Sequence, residues 1–417
     1  MLSRARRLSQ DAFIRDNGVF FVGSIGVALL NYLYYPVLGR LLPVADFGDM
    51  QALLAIFGQA MVINIVFGTV LLNIEANRGS GDPAARDLST LFFWLSTLVT
   101  VGALLATPVL SRLFQLRSPA ELVFMAAAFP VATLAAAANS RLQAAKRFGA
   151  VSLSSAIAAG GKLVAGAVLV WWGFGAIGAA AAFLLANALA CAYAVLRTGP
   201  ARTFDAFRLP RLTPAVRSEL RYGFLILCGV GMVLTLSSGD VAVVKALFAP
   251  DIAGYYGGVS AIGRVVFFAT ASISAVLLPH VRLEQPAAER RALLWKSVAL
   301  TAAVGTAVCL PLMAAPAWSV SLLLGGRYLP LASLLPWMAL QSLLLAVANV
   351  FVMFAIATRQ ASVAAVSVSG LVATGALLAV LHASPAQVVW VFLGATAAVL
   401  AVLGIGCGGV FRYGRAR

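Results

Sequence analysis

Twelve apolar stretches, each about as long as a lipid bilayer is thick, run from one end of the 417-residue chain to the other. A bilayer core of roughly 30 Å needs about 20 consecutive apolar residues, because each helical residue adds about 1.5 Å. The composition agrees, since 62% of the residues are hydrophobic and 11% are charged. The stretches exceed the length of strands and lack a period-two alternation, which argues against a β-barrel. The sequence therefore predicts an all-α polytopic membrane protein.

The predicted spans are separated by short polar connections. The fifth and sixth spans are the hardest to separate, because only a short glycine-rich turn divides them. The predicted bounds are 18–41, 49–73, 88–114, 120–140, 149–172, 174–196, 222–247, 252–279, 293–314, 332–356, 361–382 and 386–411.

Lysine and arginine residues fall almost entirely on alternate connections between these spans. Cytoplasmic loops of membrane proteins are enriched in these residues, so the pattern predicts that both termini are cytoplasmic. An even number of spans also requires the two termini to share a side. Of the 30 cations, five lie on the opposite loops and two lie within spans. The five are Arg40, Arg112, Arg117, Lys245 and Arg327, and the two are Lys162 and Arg264.

The net charge of +16 follows from this distribution. Most of the positive charge faces the anionic lipid of the cytoplasmic leaflet, so it indicates contact with membrane lipids and no role in nucleic-acid binding. We expect a multi-pass protein of the plasma or inner membrane. A monomer is the default expectation.

The longest polar connection, 197–221, contains three prolines and separates six spans from six. It predicts a cytoplasmic linker between an N-terminal lobe, 18–196, and a C-terminal lobe, 222–411. Residues 1–17 are basic and lack the features of a cleaved signal peptide, so they are predicted to be a cytoplasmic N-terminus. Residues 412–417 are predicted to be a cytoplasmic tail.

The two halves of the chain share a weak sequence similarity. Residues 40–48 follow the first span, and residues 245–254 follow the seventh; each segment contains a cation, an apolar pair, a proline, an acid and a glycine. Since each half begins in the cytoplasm, the repeats would be parallel. Transporters that rock two lobes about a central site are often built in this way.

Few residues in the chain are suited to catalysis. The two histidines, His280 and His382, lie at span ends, and no outward loop exceeds about twenty residues. A metal site or a nucleophile–base pair is therefore poorly supported, and no cofactor is expected. Residues 173–178 match G-x-G-x-x-G, but they lie between two spans without a preceding strand, so a tight helical hairpin explains them better.

Several short motifs resemble one known family. Residues 36–48 contain Pro36, Arg40, Leu42 and then Asp46-Phe47-Gly48, in the order typical of its first two spans. Further similar segments, in the family's order and spacing, are Arg141-Leu142-Gln143, Lys146-Arg147-Phe148, Ser238-Gly239-Asp240, Gly254-Tyr255-Tyr256, Leu278-Pro279-His280-Val281, Gly325 to Ala332 and Ala357-Thr358-Arg359-Gln360. The chain thus resembles the polysaccharide (oligosaccharide) flippases of the multidrug/oligosaccharidyl-lipid/polysaccharide exporter superfamily.

The resemblance implies two six-helix lobes around a central cationic cavity. It also implies transfer of a polyprenyl-(pyro)phosphate-linked oligosaccharide from the cytoplasmic to the outer leaflet, possible partnership with other polysaccharide-assembly proteins, and no enzymatic activity. Twelve spans fit the O-antigen-type members better than lipid II flippases, which generally carry two more.

Two cations lie inside predicted spans, where a charge costs about 2.5–3.5 kcal/mol on insertion scales. Arg264 lies near mid-depth of the eighth span, and we expect it to line the cavity and bind the lipid phosphate bidentately. A structural ion pair with Asp240 is the alternative. Lys162 lies mid-span among small residues and could face the cavity or cap a neighbour's carbonyls.

Two charged residues near the outer ends of spans leave more than one explanation open. Asp240 could couple transport to a cation, pair with Arg264, or be a span-end acid near Lys245. Arg40 could guard the outward exit for the phosphate or simply snorkel to the interface.

Four polar residues of the first two spans are candidate contacts for sugar hydroxyls: Asn31, Tyr35, Gln59 and Asn64. Asn31 and Tyr35 share a helix face because they are four residues apart. Hydrogen bonds between helices, or an interfacial aromatic belt, would explain the four almost as well.

Two other functions compete with the flippase. A drug or metabolite exporter of the same superfamily would need an apolar or acidic cavity for cationic drugs, which Lys162 and Arg264 argue against. A membrane glycosyltransferase or polymerase would need an external domain or a set of catalytic acids, and the sequence provides neither.

Overall fold

The computed structural model describes residue 23 and residues 25–79, 82–199, 213–281 and 285–413. The predicted N-terminal segment 1–17, residues 200–212 of the predicted linker and residues 414–417 of the predicted tail lie outside this part of the chain. Throughout the described part the regular structure is helical, which confirms the all-α prediction.

The helices follow the predicted spans closely. Helix α1 covers residues 25–41. The others are α2 Val44–Arg78, α3 Pro83–Leu105, α4 Thr107–Leu113, α5 Pro119–Ala144, α6 Phe148–Leu169, α7 Gly175–Thr198, α8 Pro214–Leu247, α9 Pro250–Gly263, α10 Val265–His280, α11 Ala287–Ala314, α12 Pro316–Leu324, α13 Leu335–Ala357, α14 Ser362–Val380 and α15 Pro385–Tyr413. A 3₁₀ segment, Gly326–Leu334, precedes α13.

Local sequence sets where several helices begin. Asp82 accepts a hydrogen bond from the Ala84 backbone N–H at 2.7 Å, and Ser118 accepts one from Ala120 at 3.3 Å. A proline follows each cap, at the first helical position, where its missing N–H costs nothing. These signals fix the starts of α3 and α5.

The glycine-rich segment between α6 and α7 reverses the chain. Gly173 and Gly175 both have positive φ, 92° and 56°, which side chains larger than hydrogen rarely allow. The helices then run antiparallel in close contact: the Ser154 hydroxyl donates to the Ala190 carbonyl at 3.3 Å, and a Cβ on Gly161 would lie 3.2 Å from that of Ala186. This geometry confirms the predicted helical hairpin at residues 173–178.

Ten helical stretches of the described residues are long and apolar enough to cross a membrane. One of them, Phe148–Thr198, contains the reversal at Gly173. The protein is therefore a multi-pass membrane protein, while the count of twelve spans stays a prediction.

One predicted span is interrupted. The third divides into α3 and α4 beside Pro108, because a proline lacks the N–H that would continue a helix. In the eighth, α9 passes into α10 at Arg264 while the helical hydrogen bonds continue: Arg264 N–H donates to the Ser260 carbonyl at 3.0 Å, and Phe268 N–H donates to that of Arg264 at 3.1 Å.

The helices cluster into two compact units. The first contains α1, residues 63–78 of α2, α3, α5, α6, α7 and the start of α8 up to residue 223. The second contains residues 44–62 of α2, α8 from residue 224, and α9 to α15. Thus α2 is one continuous helix that contributes residues to both units. The predicted two-lobe division, with boundaries at 196 and 222, stays a prediction.

Each unit has its own packed interior. In the first unit α7 packs against both α5 and α6 through alanine and glycine, which lets helices in a membrane approach closely. In the second unit α13 is largely buried and packs against α9, α10, α11 and α15.

Candidate functional site

Four polar side chains form a buried cluster inside the second unit. One carboxylate oxygen of Asp240 accepts hydrogen bonds from the Tyr256 hydroxyl at 2.8 Å and from the Ser260 hydroxyl at 3.3 Å. Arg264 donates through Nε to the Ser260 carbonyl at 3.4 Å and interacts electrostatically with Asp240. Asp240 belongs to α8, whereas the other three are spaced by four residues and share one helix face.

This cluster bears on two of the predictions. Asp240 is 8% exposed and Arg264 is 6% exposed, so in this conformation neither side chain has an open aqueous surface. The two opposite charges interact electrostatically, and the ion-pair alternative for Arg264 stays a prediction. The functions of Arg264 in substrate binding and of Asp240 in ion coupling both stay predictions.

Lys245 lies five residues after Asp240 on α8, and the span-end explanation for Asp240 stays a prediction. Lys245 forms an ion pair with Asp49 of α2, and both side chains have no exposed surface. The sequence analysis counted Lys245 among the outer cations, at the end of the predicted span 222–247, and the structure places it inside α8, near the end of that helix. The ion pair was not predicted because Asp49 and Lys245 are far apart in the sequence. The weak similarity between residues 40–48 and 245–254 was the sequence feature that could have indicated it.

Lys162 lies in a different environment, inside the first unit. Its ammonium is 4.8 Å from the centre of the Tyr34 ring and 5.9 Å from the centre of the Phe183 ring, within the range of cation–π attraction. Tyr34 is buried, whereas Lys162 itself is half-buried. Among the residues that the structure describes, the contacts of this ammonium are aromatic rings, which attract its positive charge without neutralising it.

Gly166, four residues after Lys162 on α6, lies beside the same ring. A Cβ on Gly166 would be in ordinary van der Waals contact with the Tyr34 ring, at 3.4 Å, so α1 and α6 pack closely here. Sequence reasoning selected Lys162 and missed Tyr34 and Phe183, since an aromatic residue in an apolar span looks like any other core residue.

Three predicted substrate contacts, Asn31, Tyr35 and Arg40, lie on α1, the helix that also carries Tyr34. Tyr35 packs edge-to-face on Tyr34, with ring centres 6.1 Å apart, and is half-buried. Asn31 donates to the carbonyl of Val27 in its own helix at 3.0 Å. Arg40 is exposed at the end of α1.

The two predicted polar residues of α2 form hydrogen bonds to other helices. Gln59 accepts from the Thr235 hydroxyl at 2.8 Å and donates to the Leu234 carbonyl at 3.1 Å in the second unit. Asn64 accepts from the Thr133 hydroxyl at 2.7 Å in the first unit. These contacts fit the interhelical alternative, and a role in sugar binding stays a prediction for both.

In the part of the chain that the structure describes, no group of three or more His, Cys, Asp or Glu residues is arranged to hold a metal ion. The chemistry that the arrangement offers is electrostatic. A lysine ammonium held inside a transmembrane unit attracts anions, and lysine binds phosphate as a point charge.

Comparison with solved structures identifies the fold. The chain superposes on the lipid II flippase MurJ in an inward closed conformation with a TM-score of 0.71 and 11% identity, over 93% of this chain and 87% of that one. An inward-facing multidrug resistance MATE transporter of the MOP superfamily gives 0.67 at 13% identity, over 94% and 99%. A MOP superfamily transporter from Pyrococcus furiosus gives 0.56 at 12% identity, over 92% and 94%. The chain therefore has the fold of these transporters.

Sequence comparison gives the family. No curated protein matches the chain. The family model described as "Polysaccharide biosynthesis protein" matches residues 13–282, which is more than half of the chain. This region includes α1 to α10, and with them Lys162 and Arg264. The chain belongs to the polysaccharide biosynthesis protein family.

Proposed function

We propose that the protein is a flippase that moves a polyprenyl-(pyro)phosphate-linked oligosaccharide from the inner to the outer leaflet by alternating access. It would serve the biosynthesis of a cell-surface polysaccharide, together with the proteins that assemble that glycan. Membership of the family and the transporter fold both support this function. In this proposal the protein carries its cargo and performs no covalent chemistry.

The observation that carries the proposal is the half-buried ammonium of Lys162. A positive charge inside a transmembrane unit is costly and survives where it has a function or a compensating partner. The rings of Tyr34 and Phe183 lower that cost without neutralising the charge, because the attraction is to the ring faces. An ammonium in this state is suited to a mobile anion that arrives and leaves, as a lipid phosphate does.

Export of cationic drugs is the second candidate function, since the chain shares the fold of a multidrug transporter. A cationic drug would be repelled by Lys162. The only intramembrane acid singled out from the sequence, Asp240, has hydrogen bonds to Tyr256 and Ser260 and lies beside Arg264, so it is poorly placed to attract a cation. The flippase is therefore the better supported of the two.

The other proposed substrate contacts differ in the support they have. Tyr35 and Arg40 lie on the same helix as Tyr34, and we retain them as sugar and phosphate contacts, with Asn31 as a weaker candidate. Gln59 and Asn64 form hydrogen bonds to neighbouring helices, which favours a structural role for them. Arg264 donates to the Ser260 carbonyl four residues earlier and interacts electrostatically with Asp240, which favours the same role.

Replacing Lys162 with methionine is expected to lower export of the lipid-linked oligosaccharide by roughly 10- to 100-fold. A hydrogen bond to a charged group contributes about 1.5–3 kcal/mol, and each 1.4 kcal/mol is a factor of ten. Lys162→Arg retains the charge and should keep much of the activity. Val164→Ala, on the exposed side of the same helix, is the matched control.

The measurement is the amount of glycan that reaches the outer leaflet in a deletion strain complemented with each variant at equal expression. Deletion itself should trap the lipid-linked glycan in the inner leaflet. Wild-type export by Lys162→Met would remove Lys162 from the mechanism, and accumulation of a cationic drug in the deletion strain would favour the exporter instead.

We further propose twelve spans in two six-helix lobes around a central cavity, with both termini in the cytoplasm of an inner or plasma membrane. A reporter that fluoresces only in the cytoplasm should be fluorescent when fused after residue 417. A reporter that is active only outside should be active when inserted beside Gly173. The opposite pair of results would reverse the orientation.

A further inference from the structure

The first part of α2, residues 44–62, packs against α8 and α9 through contacts that were not predicted from the sequence. Asp49 and Lys245 form an ion pair with no exposed surface on either side chain. Beside it, the Gln51 side-chain amide donates to the Gly257 carbonyl of α9 at 2.9 Å.

The helix backbones meet at the same place. A Cβ on Gly48 would lie 2.8 Å from the backbone nitrogen of Gly254, so only glycine allows this approach. The Tyr328 ring packs edge-to-face on Phe47, the residue before Gly48, with ring centres 5.6 Å apart. We call the contacts of Gly48, Asp49 and Gln51 with Gly254, Lys245 and Gly257 the outer lock.

Residues further along α2 belong to the other compact unit. Asn64 accepts a hydrogen bond from Thr133 within the first unit, whereas Asp49 forms an ion pair with Lys245 within the second. A movement of the whole of α2, together with Thr133, away from α8 and α9 would therefore break the outer lock.

The chemistry of the outer lock suits such a release. A buried ion pair contributes little net stability, because the cost of dehydrating both charges offsets their attraction. When water enters, Asp49 and Lys245 regain hydration, so the separated state is accessible to them. A purely apolar contact of the same area would be held closed by the hydrophobic effect.

We infer that the outer lock opens in each transport cycle, and that the Asp49–Lys245 ion pair sets the balance between its closed and open states. The inference rests on the alternating access of the proposed function. The charge pattern assigns this end of the helices to the outside.

A reversible cross-link tests whether the lock must open. A Cβ on Gly257 would lie 3.1 Å from the Gln51 Cβ, a few tenths of an ångström short of the range found in disulfides. Gln51→Cys/Gly257→Cys, in a chain with the four native cysteines replaced by alanine, should cross-link when oxidised. Transport should then fall at least tenfold and recover on reduction.

A matched control exists in the first unit. A Cβ on Gly161 would lie 3.2 Å from the Ala186 Cβ, so Gly161→Cys/Ala186→Cys should cross-link equally well. Because α6 and α7 form one rigid hairpin in this proposal, oxidised and reduced forms of the control should transport at the same rate. Equal transport by both forms of the cross-linked outer lock would overturn the inference.

A labelling experiment tests the ion pair without any assay of cargo. Val241 packs beside Gly257 and is 1% exposed, so Val241→Cys reports on the opening of the lock. With this reporter, Asp49→Asn or Lys245→Met should raise the rate of labelling by an impermeant maleimide added outside by about tenfold. The exchanged pair Asp49→Lys/Lys245→Asp, and the neutral pair Asp49→Asn/Lys245→Met, should return the rate toward that of the reporter alone.

Unchanged labelling in both single variants would refute the role of the ion pair, and exchanged and neutral pairs that label as fast as the singles would refute it too. The labelling result does not depend on the cargo. If Lys162→Met exports normally while the lock variants behave as expected, the proposed cargo fails and the outer lock stands; the reverse pattern refutes the lock alone.

Discussion

Replacing Asp240 with alanine is expected to lower the free energy of unfolding by about 3–5 kcal/mol, because the change leaves the Arg264 guanidinium buried beside no carboxylate. Tyr256→Phe, which removes only the hydroxyl that donates to Asp240, should cost about 1.5–3 kcal/mol. The measurement is denaturant unfolding of the detergent-solubilised protein.

A double variant separates the loss of a charge partner from the loss of packing. Asp240→Leu/Arg264→Met replaces both charges with apolar groups and should be far more stable than Asp240→Ala, since exchange of a buried ion pair for apolar residues is often neutral or stabilising. A double variant as unstable as the single one would contradict the charge-pair explanation.

The same double variant distinguishes the roles predicted for Asp240. If Asp240 serves mainly as the partner of Arg264, the double variant should still transport and should respond to collapse of the proton or sodium gradient as the wild type does. Loss of that response, in a variant that still transports, would assign cation coupling to Asp240.

Replacing Gly254 with alanine is expected to be the most damaging single methyl addition in the second unit. The new Cβ would lie 2.1 Å from the Val44 carbonyl oxygen, which belongs to the backbone and cannot rotate away. Overpacking of this kind costs about 1–3 kcal/mol, occasionally more, and we expect a value at the upper end. Thermal unfolding of the purified protein provides the measurement.

Gly58→Ala is the matched control for this change. Gly58 lies in α2 and has open space where a Cβ would be, so alanine should be neutral or stabilise the helix by about 0.5–1 kcal/mol. Equal effects of the two alanines would show that helix propensity, and not the contact between α2 and α9, decides the outcome at Gly254.

Helix positions were largely predictable from the sequence. Apolar length and end signals are local, so the predicted span 120–140 became α5, Pro119–Ala144, and the glycine-rich hairpin at residues 173–178 formed as expected. The interruption beside Pro108 was not predicted, because a hydropathy window averages over the single residues at which a helix breaks.

The candidate site was only half predictable. A charge inside an apolar span stands out in the sequence, which is how Lys162, Arg264 and Asp240 were found. Their partners Tyr34, Phe183, Tyr256 and Ser260 do not stand out, because each is an ordinary residue until another helix brings it close.

The sequence alone determined that this protein is a bundle of membrane-crossing helices and which charges lie within them, because hydropathy and charge are properties of each segment by itself. Tertiary structure alone decided which charges are compensated: Arg264 lies beside Asp240, Lys245 pairs with Asp49, and Lys162 faces aromatic rings. The physical reason is that compensation depends on distances between helices, which small residues such as Gly48 and Gly254 set through packing.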